Sequence, residues 1–225
     1  MSKTGISGAG LMFVPIMAQI FGGKLSVGIV LPMLIFADLF AVYYYHRHAN
    51  WRYIILSIPW ALLGVIIAAI IGNEINDAQF KNILAIVILT AIAVMLLLDF
   101  YKPSTKLLDN WWFAAILGLA GGFATMIGNA AGPIASLYLL SMRLPKNNYI
   151  GTSAWFFLII NIIKVPFHLF IWNTISLKTL TVDLIAIPSI LLGVFIGIHL
   201  VKYFSEKYYR YFILISTSLS ALFLL

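Results

Sequence analysis

The chain contains no cysteine, which excludes disulfides, thiolate metal sites and dithiol redox relays. Charge is nearly as scarce. Only 9% of the 225 residues are charged, against about 25% in a soluble domain. Regular alternation of apolar and polar residues is also missing, which argues against a membrane β-barrel. The N-terminus, MSKTGISGAG, lacks the basic, apolar and small-residue order of a cleaved signal. What remains is apolar: 63% hydrophobic residues and a mean hydropathy of +1.04. A cytosolic enzyme, a nucleic-acid binder and a disordered regulator all fit poorly, and a polytopic membrane protein fits.

The apolar residues fall into runs at 5–21, 26–45, 53–71, 83–98, 111–142, 149–172, 180–201 and 211–225. A hydrocarbon core about 30 Å thick needs about 20 residues of helix, so each run reads as a helical membrane segment. The net charge of +7 sits mostly in the short gaps between runs, where basic residues set topology. No nucleic-acid partner is expected. Tryptophan and tyrosine at the run ends (Trp51, Trp111, Trp112, Tyr208, Tyr209) read as an interfacial belt.

An internal repeat is visible. Residues 58–67 (IPWALLGVII) and 187–196 (IPSILLGVFI) share seven of ten positions at an offset of 129. Upstream the offset is 123: Gly5 matches Gly128, Gly28 matches Gly151, and Asp38 falls opposite Asn161. Duplicated membrane folds are common in transporters, with the substrate site where the copies meet. If HRHANWR lies inside and 111–142 enters and leaves by one face, nine loop Lys/Arg lie inside. Only Lys24, Lys81 and Lys178 lie outside. A single crossing of 111–142 leaves five inside and seven outside, so the positive-inside rule prefers the first arrangement and inverts the second copy. The fold expectation is an all-α polytopic membrane protein of two inverted repeats, each of about four membrane segments and opened by a broken or re-entrant helix. The repeats would be 1–100 and 111–225, joined by a linker at 101–110.

GNAAGP (128–133) interrupts the long fifth run, and neither arm is long enough for a full span. Gly128 and Gly132 relax the backbone, and Pro133 suits the first turn of a helix. A break in hydrocarbon is tolerated only where protein or a wet cavity satisfies its N–H and C=O groups. The start of the second arm offers free N–H groups and the positive end of a helix dipole, which favour an anion. GISGAG, with Ser7, Gly8 and Gly10, occupies the matching place in the first copy. Ser7, Thr125, Asn129 and Thr152 are candidate neutral donors to a small oxyanion. The competing reading is close helix packing through small residues.

Asp38 lies near the centre of the run 26–45, and Lys164 lies inside 149–172, one turn beyond Asn161. Intramembrane charges are paired or functional. Asp38 is either the structural partner of Lys164 or a proton-coupling acid. Lys164 is either that partner or the charge that draws an anion inward. Pro166 is expected to kink the helix just after Lys164. His46 and His48 flank Arg47 in a solvated loop, so no metal or other cofactor is expected there. His168 and His199 read as core or interfacial residues.

At these residues the chain resembles the sulfite exporter TauE/SafE family of membrane transporters. The resemblance covers nearly the whole chain. It rests on GISGAGLMFVP, LPMLIFADLFAVYYYHRHANW, the paired IP-x2-LLGV stretches and MIGNAAGPIASLYLLSMRLPKNNYIGTSAWFFLIINIIKVPF. Gly128, Asn129, Gly132, Pro133, Gly151, Thr152 and Ser153 match the signature of one branch of the family. The resemblance implies a bacterial inner-membrane protein of about seven or eight segments that moves small anions, sulfite or organosulfur compounds among them. The family usually has a hydrophobic arm before its first glycine cluster. This chain begins four residues ahead of that cluster, so a preceding segment is expected to be missing.

The combined expectation is a transporter, not an enzyme, exporting a small anion by alternating access. The substrate would sit between the two breaks, near Asn129, Thr152, Ser153, Asn161 and Lys164. The bilayer is the other partner, and a homodimer is compatible with the sequence. The alternatives are a membrane assembly or scaffold protein and an intramembrane enzyme. The latter has Ser7, Thr125 and His168 at hand, but no spacing joins them into a catalytic motif.

Overall fold

The runs fold as helices because a backbone in hydrocarbon must satisfy its own hydrogen bonds. The computed structural model describes residues 17–18, 20–76, 78–80, 82–83, 86, 90, 110–203, 205, 208, 211–212 and 215. The GISGAG residues Ser7, Gly8 and Gly10, the linker 101–110 apart from Asn110, and most of the runs 5–21, 83–98 and 211–225 lie outside the described residues.

Six α-helices organise the described part: α1 Gly23–Tyr45, α2 Trp51–Glu74, α3 Trp111–Gly128, α4 Gly132–Ser141, α5 Lys146–Pro166 and α6 Leu177–Tyr203. A 3-10 turn, His46–His48, follows α1, and a π turn, Phe167–Ile171, continues α5. Five helical segments are long and apolar enough to cross a membrane: Gly23–His48, Trp51–Glu74, Trp111–Gly128, Lys146–Ile171 and Leu177–Gly197. Helices α1, α2, α5 and α6 start before their apolar runs do, because helix geometry continues into the polar interface that hydropathy leaves out. The expected kink at Pro166 takes another form. The chain stays helical past it, in a π turn whose wider winding keeps His168 buried. Such turns recur at functional sites.

Contacts fix the helix directions. Across α1 and α5, Gly151 lies against the Tyr45 carbonyl, Asp38 meets Asn161, and Gly28 lies against Thr174. Residue numbers rise on one helix as they fall on the other, so α1 and α5 are antiparallel. Across α2 and α3, Gly118 packs on Ser57, Gly122 on the Ala61 carbonyl and Gly64 on the Leu119 carbonyl. These two helices run parallel with their backbones nearly touching. A side chain at Gly64 or Gly122 would collide with backbone, so small residues here serve packing, as they often do between membrane helices.

Helix α4 doubles back along α3. Ile134 packs against Ala124, with Leu117 and Ala120 alongside. Further along, the Tyr138 ring lies 6.2 Å from that of Phe113. The stretch 111–142 is therefore a helical hairpin whose two ends lie toward the same end of the bundle, in line with the topology that the loop charges favour. The loops holding Arg47, Arg52, Arg143 and Lys146 gather at that end. There the Asn50 N–H donates to Thr152 Oγ1 at 2.9 Å and the Tyr138 hydroxyl donates to the Tyr53 carbonyl at 3.3 Å.

The central core joins Val27 of α1, Ala61, Val65 and Ala68 of α2, Met126 and Ile127 of α3, Ala130 in the break, and Phe156 and Ile160 of α5. The interrupted helix thus lies at the middle of the bundle, not on its lipid face.

Candidate anion site

The break is built from backbone first. Asn129 ends α3 in the left-handed conformation, with φ 54°, one that Asn tolerates better than most residues. Its N–H donates to the Thr125 carbonyl at 2.9 Å, and the Ala130 N–H to the Ala124 carbonyl at 3.2 Å. These bonds satisfy carbonyls that the helix end would otherwise orphan. Helix α4 then starts at Gly132, with Pro133 in its first turn and no side-chain cap. Gly128, Ala130 and Ala131 are buried.

Lys164 enters the break from α5. Its ammonium is fully buried and donates to Asn129 Oδ1 at 2.5 Å and to Thr125 Oγ1 at 3.2 Å. Asn129 Nδ2 in turn donates to the Val27 carbonyl of α1 at 3.1 Å. The Asn129 amide therefore bridges Lys164 and α1, and is not the free donor that the sequence suggested. One turn along α5 from Lys164, Asn161 Nδ2 donates to Asp38 Oδ2 at 2.7 Å, with both residues buried. Asn161 Oδ1 has no hydrogen-bond partner among the described residues.

The cluster continues past Lys164. His168, one turn on, is fully buried, and its Nδ1 lies 2.7 Å from Thr174 Oγ1. Thr174 packs on Gly28, next to the Val27 carbonyl that takes the Asn129 amide. The Trp172 ring stands edge-on to the His168 ring, with centroids 5.0 Å apart, and its Nε1 donates to the Ala69 carbonyl at 3.0 Å.

Thr125, Gly128, Asn129, Gly132, Pro133, Asn161 and Lys164 are thus gathered in or near one region. Thr152 and Ser153 are not. Twelve residues of helix, about 18 Å of rise, separate Thr152 from Lys164. Thr152 instead lines a small cavity of about 10 Å³ with Tyr53, Ser57, Gly121 and Tyr138, room for about one water. A larger hollow of about 540 Å³ lies between Phe40, Tyr43 and Tyr44 of α1 and Pro188, Leu191 and Phe195 of α6. Its apolar, exposed lining suits lipid tails and not an anion.

Sequence reading undervalued two residues. His168 passed as a core histidine, although its position one turn after Lys164 was the available signal. Asp183 drew no notice inside an apolar run. It is 8% exposed, and neither carboxylate oxygen has a hydrogen-bond partner among the described residues.

A family model described as sulfite exporter TauE/SafE matches residues 2–224. Comparison with curated proteins and with solved structures gives no match. With its spans, its buried helix break and a match over nearly its whole length, the chain belongs to the sulfite exporter TauE/SafE family, as a multi-pass membrane transporter and not an enzyme.

Proposed function

We propose that the protein exports a small sulfur oxyanion, sulfite or an organosulfonate, by alternating access between two inverted repeats at 1–100 and 111–225. The observation that carries this reading is the buried Lys164 ammonium at the α3–α4 break, where it donates to Asn129 Oδ1 and Thr125 Oγ1. An oxyanion entering there would compete with Asn129 Oδ1 and Thr125 Oγ1 for that ammonium, and would add to the hydrogen bond the attraction of a full opposite charge in a low-dielectric interior. The amino end of α4 adds a favourable dipole for the same anion.

Three features support the inverted repeat. Helix α1, moved by 123 residues, starts where α5 starts, at Lys146, and α2, moved by 129, ends where α6 ends, at Tyr203. Asp38 and Asn161, equivalent under the first offset, hydrogen-bond to each other. A two-fold axis between antiparallel helices brings equivalent residues into such contact. Gly28 and Gly151, also equivalent, each pack against the far end of the other repeat's helix. The GISGAG stretch, with Ser7, Gly8 and Gly10, would then supply the opposing face of the site.

Export of an anion from a negative-inside cell is downhill by about 2.3 kcal/mol per charge per 100 mV, so efflux needs no coupling ion. Uptake would need one, and Asp38 is the acid in place for it. Radiotracer sulfite flux in proteoliposomes tests the reading. Lys164→Met and Asn129→Leu are expected to lower flux severely while the protein stays folded, and full activity in both would refute the site.

A further inference from the structure

A histidine that the proposed site does not use lies one turn beyond Lys164. His168 is fully buried, and its Nε2 has no hydrogen-bond partner among the described residues. Buried ring nitrogens normally have partners, and an exception calls for an explanation. The other nitrogen is well held, with Nδ1 2.7 Å from Thr174 Oγ1. The same hydroxyl lies 3.5 Å from the His168 carbonyl, the outer limit of a hydrogen bond. Its proton is therefore better placed on Nδ1. A ring that accepts at Nδ1 carries its own proton on Nε2. Residues four apart on a helix share a face, so the His168 and Lys164 side chains leave the same side of the helix that α5 and the π turn form. The π turn, the Thr174 contact and the Trp172 ring together fix the imidazole.

We infer that His168 is a second anion-binding group, whose Nε2–H joins the Lys164 ammonium in holding two oxygens of one sulfonate or hydrogensulfite ion. Thr174 is a positioning residue that sets the tautomer. A neutral imidazole beside one ammonium supplies two donors, which suits an anion with several equivalent oxygens. The inference rests on the proposed site at Lys164 and extends it.

The test compares His168→Asn with His168→Gln in the purified full chain, using isothermal titration with methanesulfonate and with hydrogensulfite. Asn keeps a polar atom near the Nδ1 position and loses the Nε2 donor, whereas Gln places an amide donor near Nε2. A hydrogen bond to a charged group predicts a 10–100-fold weaker Kd for the Asn variant, with Gln retaining most of the affinity. Equal loss in both variants, or no loss in the Asn variant, overturns the inference. If the variants fold poorly, nitrogen-15 NMR of the wild-type histidines decides. Saturating methanesulfonate is expected to move the His168 Nε2 signal more than its Nδ1 signal, and an unmoved His168 overturns the inference. Lys164→Met separates the two readings. Binding lost in Lys164→Met and intact in His168→Asn refutes the role of His168 alone, and binding intact in Lys164→Met refutes the site itself.

Discussion

Between α2 and α3 the contact is backbone on backbone, with Gly118, Gly122 and Gly64 against Ser57, Ala61 and Leu119. Between α1 and the α5 region close glycine contacts are mixed with polar pairs: Gly151 lies against the Tyr45 carbonyl and Gly28 under Thr174, while Asp38 bonds Asn161 and Asn129 of the break is tied to the Val27 carbonyl. The first seam cannot slide by a residue without driving a Cβ into a carbonyl. The second also contains polar pairs, whose partners can be exchanged for one another, for water or for an anion. Both seams join the first half of the chain to the second. In the proposed motion of one repeat against the other, the tight α2–α3 seam would act as the hinge and the polar seam as the part that opens.

The comparison breaks most directly at Gly122. Gly122→Leu places a side chain where the Ala61 carbonyl already lies. Overpacking costs about 1–3 kcal/mol even against side chains, and here the obstacle is backbone. The expected result is loss of the monodisperse protein in size-exclusion chromatography. A well-folded Gly122→Leu protein would mean that the α2–α3 seam is soft, and the proposed hinge would go with it.

Lys164→Met comes next. It keeps the length of the side chain and removes the charge, leaving Asn129 Oδ1 and Thr125 Oγ1 without their donor. Loss of a charge-assisted bond to the anion predicts a 10–100-fold weaker Kd for sulfite. A smaller change in thermal stability than in affinity would mark the polar seam as functional and not merely structural.

The third variant sharpens the seam's energetics. Asn161→Leu removes the hydrogen bond to buried Asp38, at a cost of about 1.5–3 kcal/mol for a bond to a charged group. The double variant Asp38→Leu/Asn161→Leu should recover much of that stability, because replacing both members of a buried polar pair is often near neutral. Thermal unfolding of the single and double variants measures the coupling. If the double variant is less stable than the single by a further full increment, the pair is not a closed unit, and Asp38 has weightier partners.

Much of this was legible in the sequence, for identifiable reasons. Run length fixed the spans, and Gly, Asn and Pro together marked the break. The offset of 123 aligned Asp38 with Asn161, but the partner that the sequence offered for Asp38 was Lys164, and the bond to Asn161 is visible only in the structure. Other features depend on three-dimensional choices that spacing does not encode. Thr152 lies next to signature residues in the sequence, yet the rise of α5 carries it to the other end of the bundle. The Asn129 amide was open to any acceptor, and only the approach of α1 gives it the Val27 carbonyl. The π turn at Phe167–Ile171, which keeps His168 inward, leaves no periodic signal, since Pro166 reads as a kink in either case.

The smallest expected effect concerns the link between the two seams. Trp172 sits just past the π turn and donates Nε1 to the Ala69 carbonyl of α2 at 3.0 Å, while its ring leans on His168 and its edge lies against Gly72. Trp172→Phe removes the hydrogen bond and keeps much of the ring. A neutral bond of this kind contributes about 0.5–1.5 kcal/mol, which predicts a Tm lower by roughly 2–4 °C for a chain of this size. Flux should be nearly unchanged if α2 and the end of α5 stay together through the cycle. If flux changes several-fold while Tm barely moves, the bond must break and re-form during transport. The opening would then extend beyond the polar seam to the contact between Trp172 and α2.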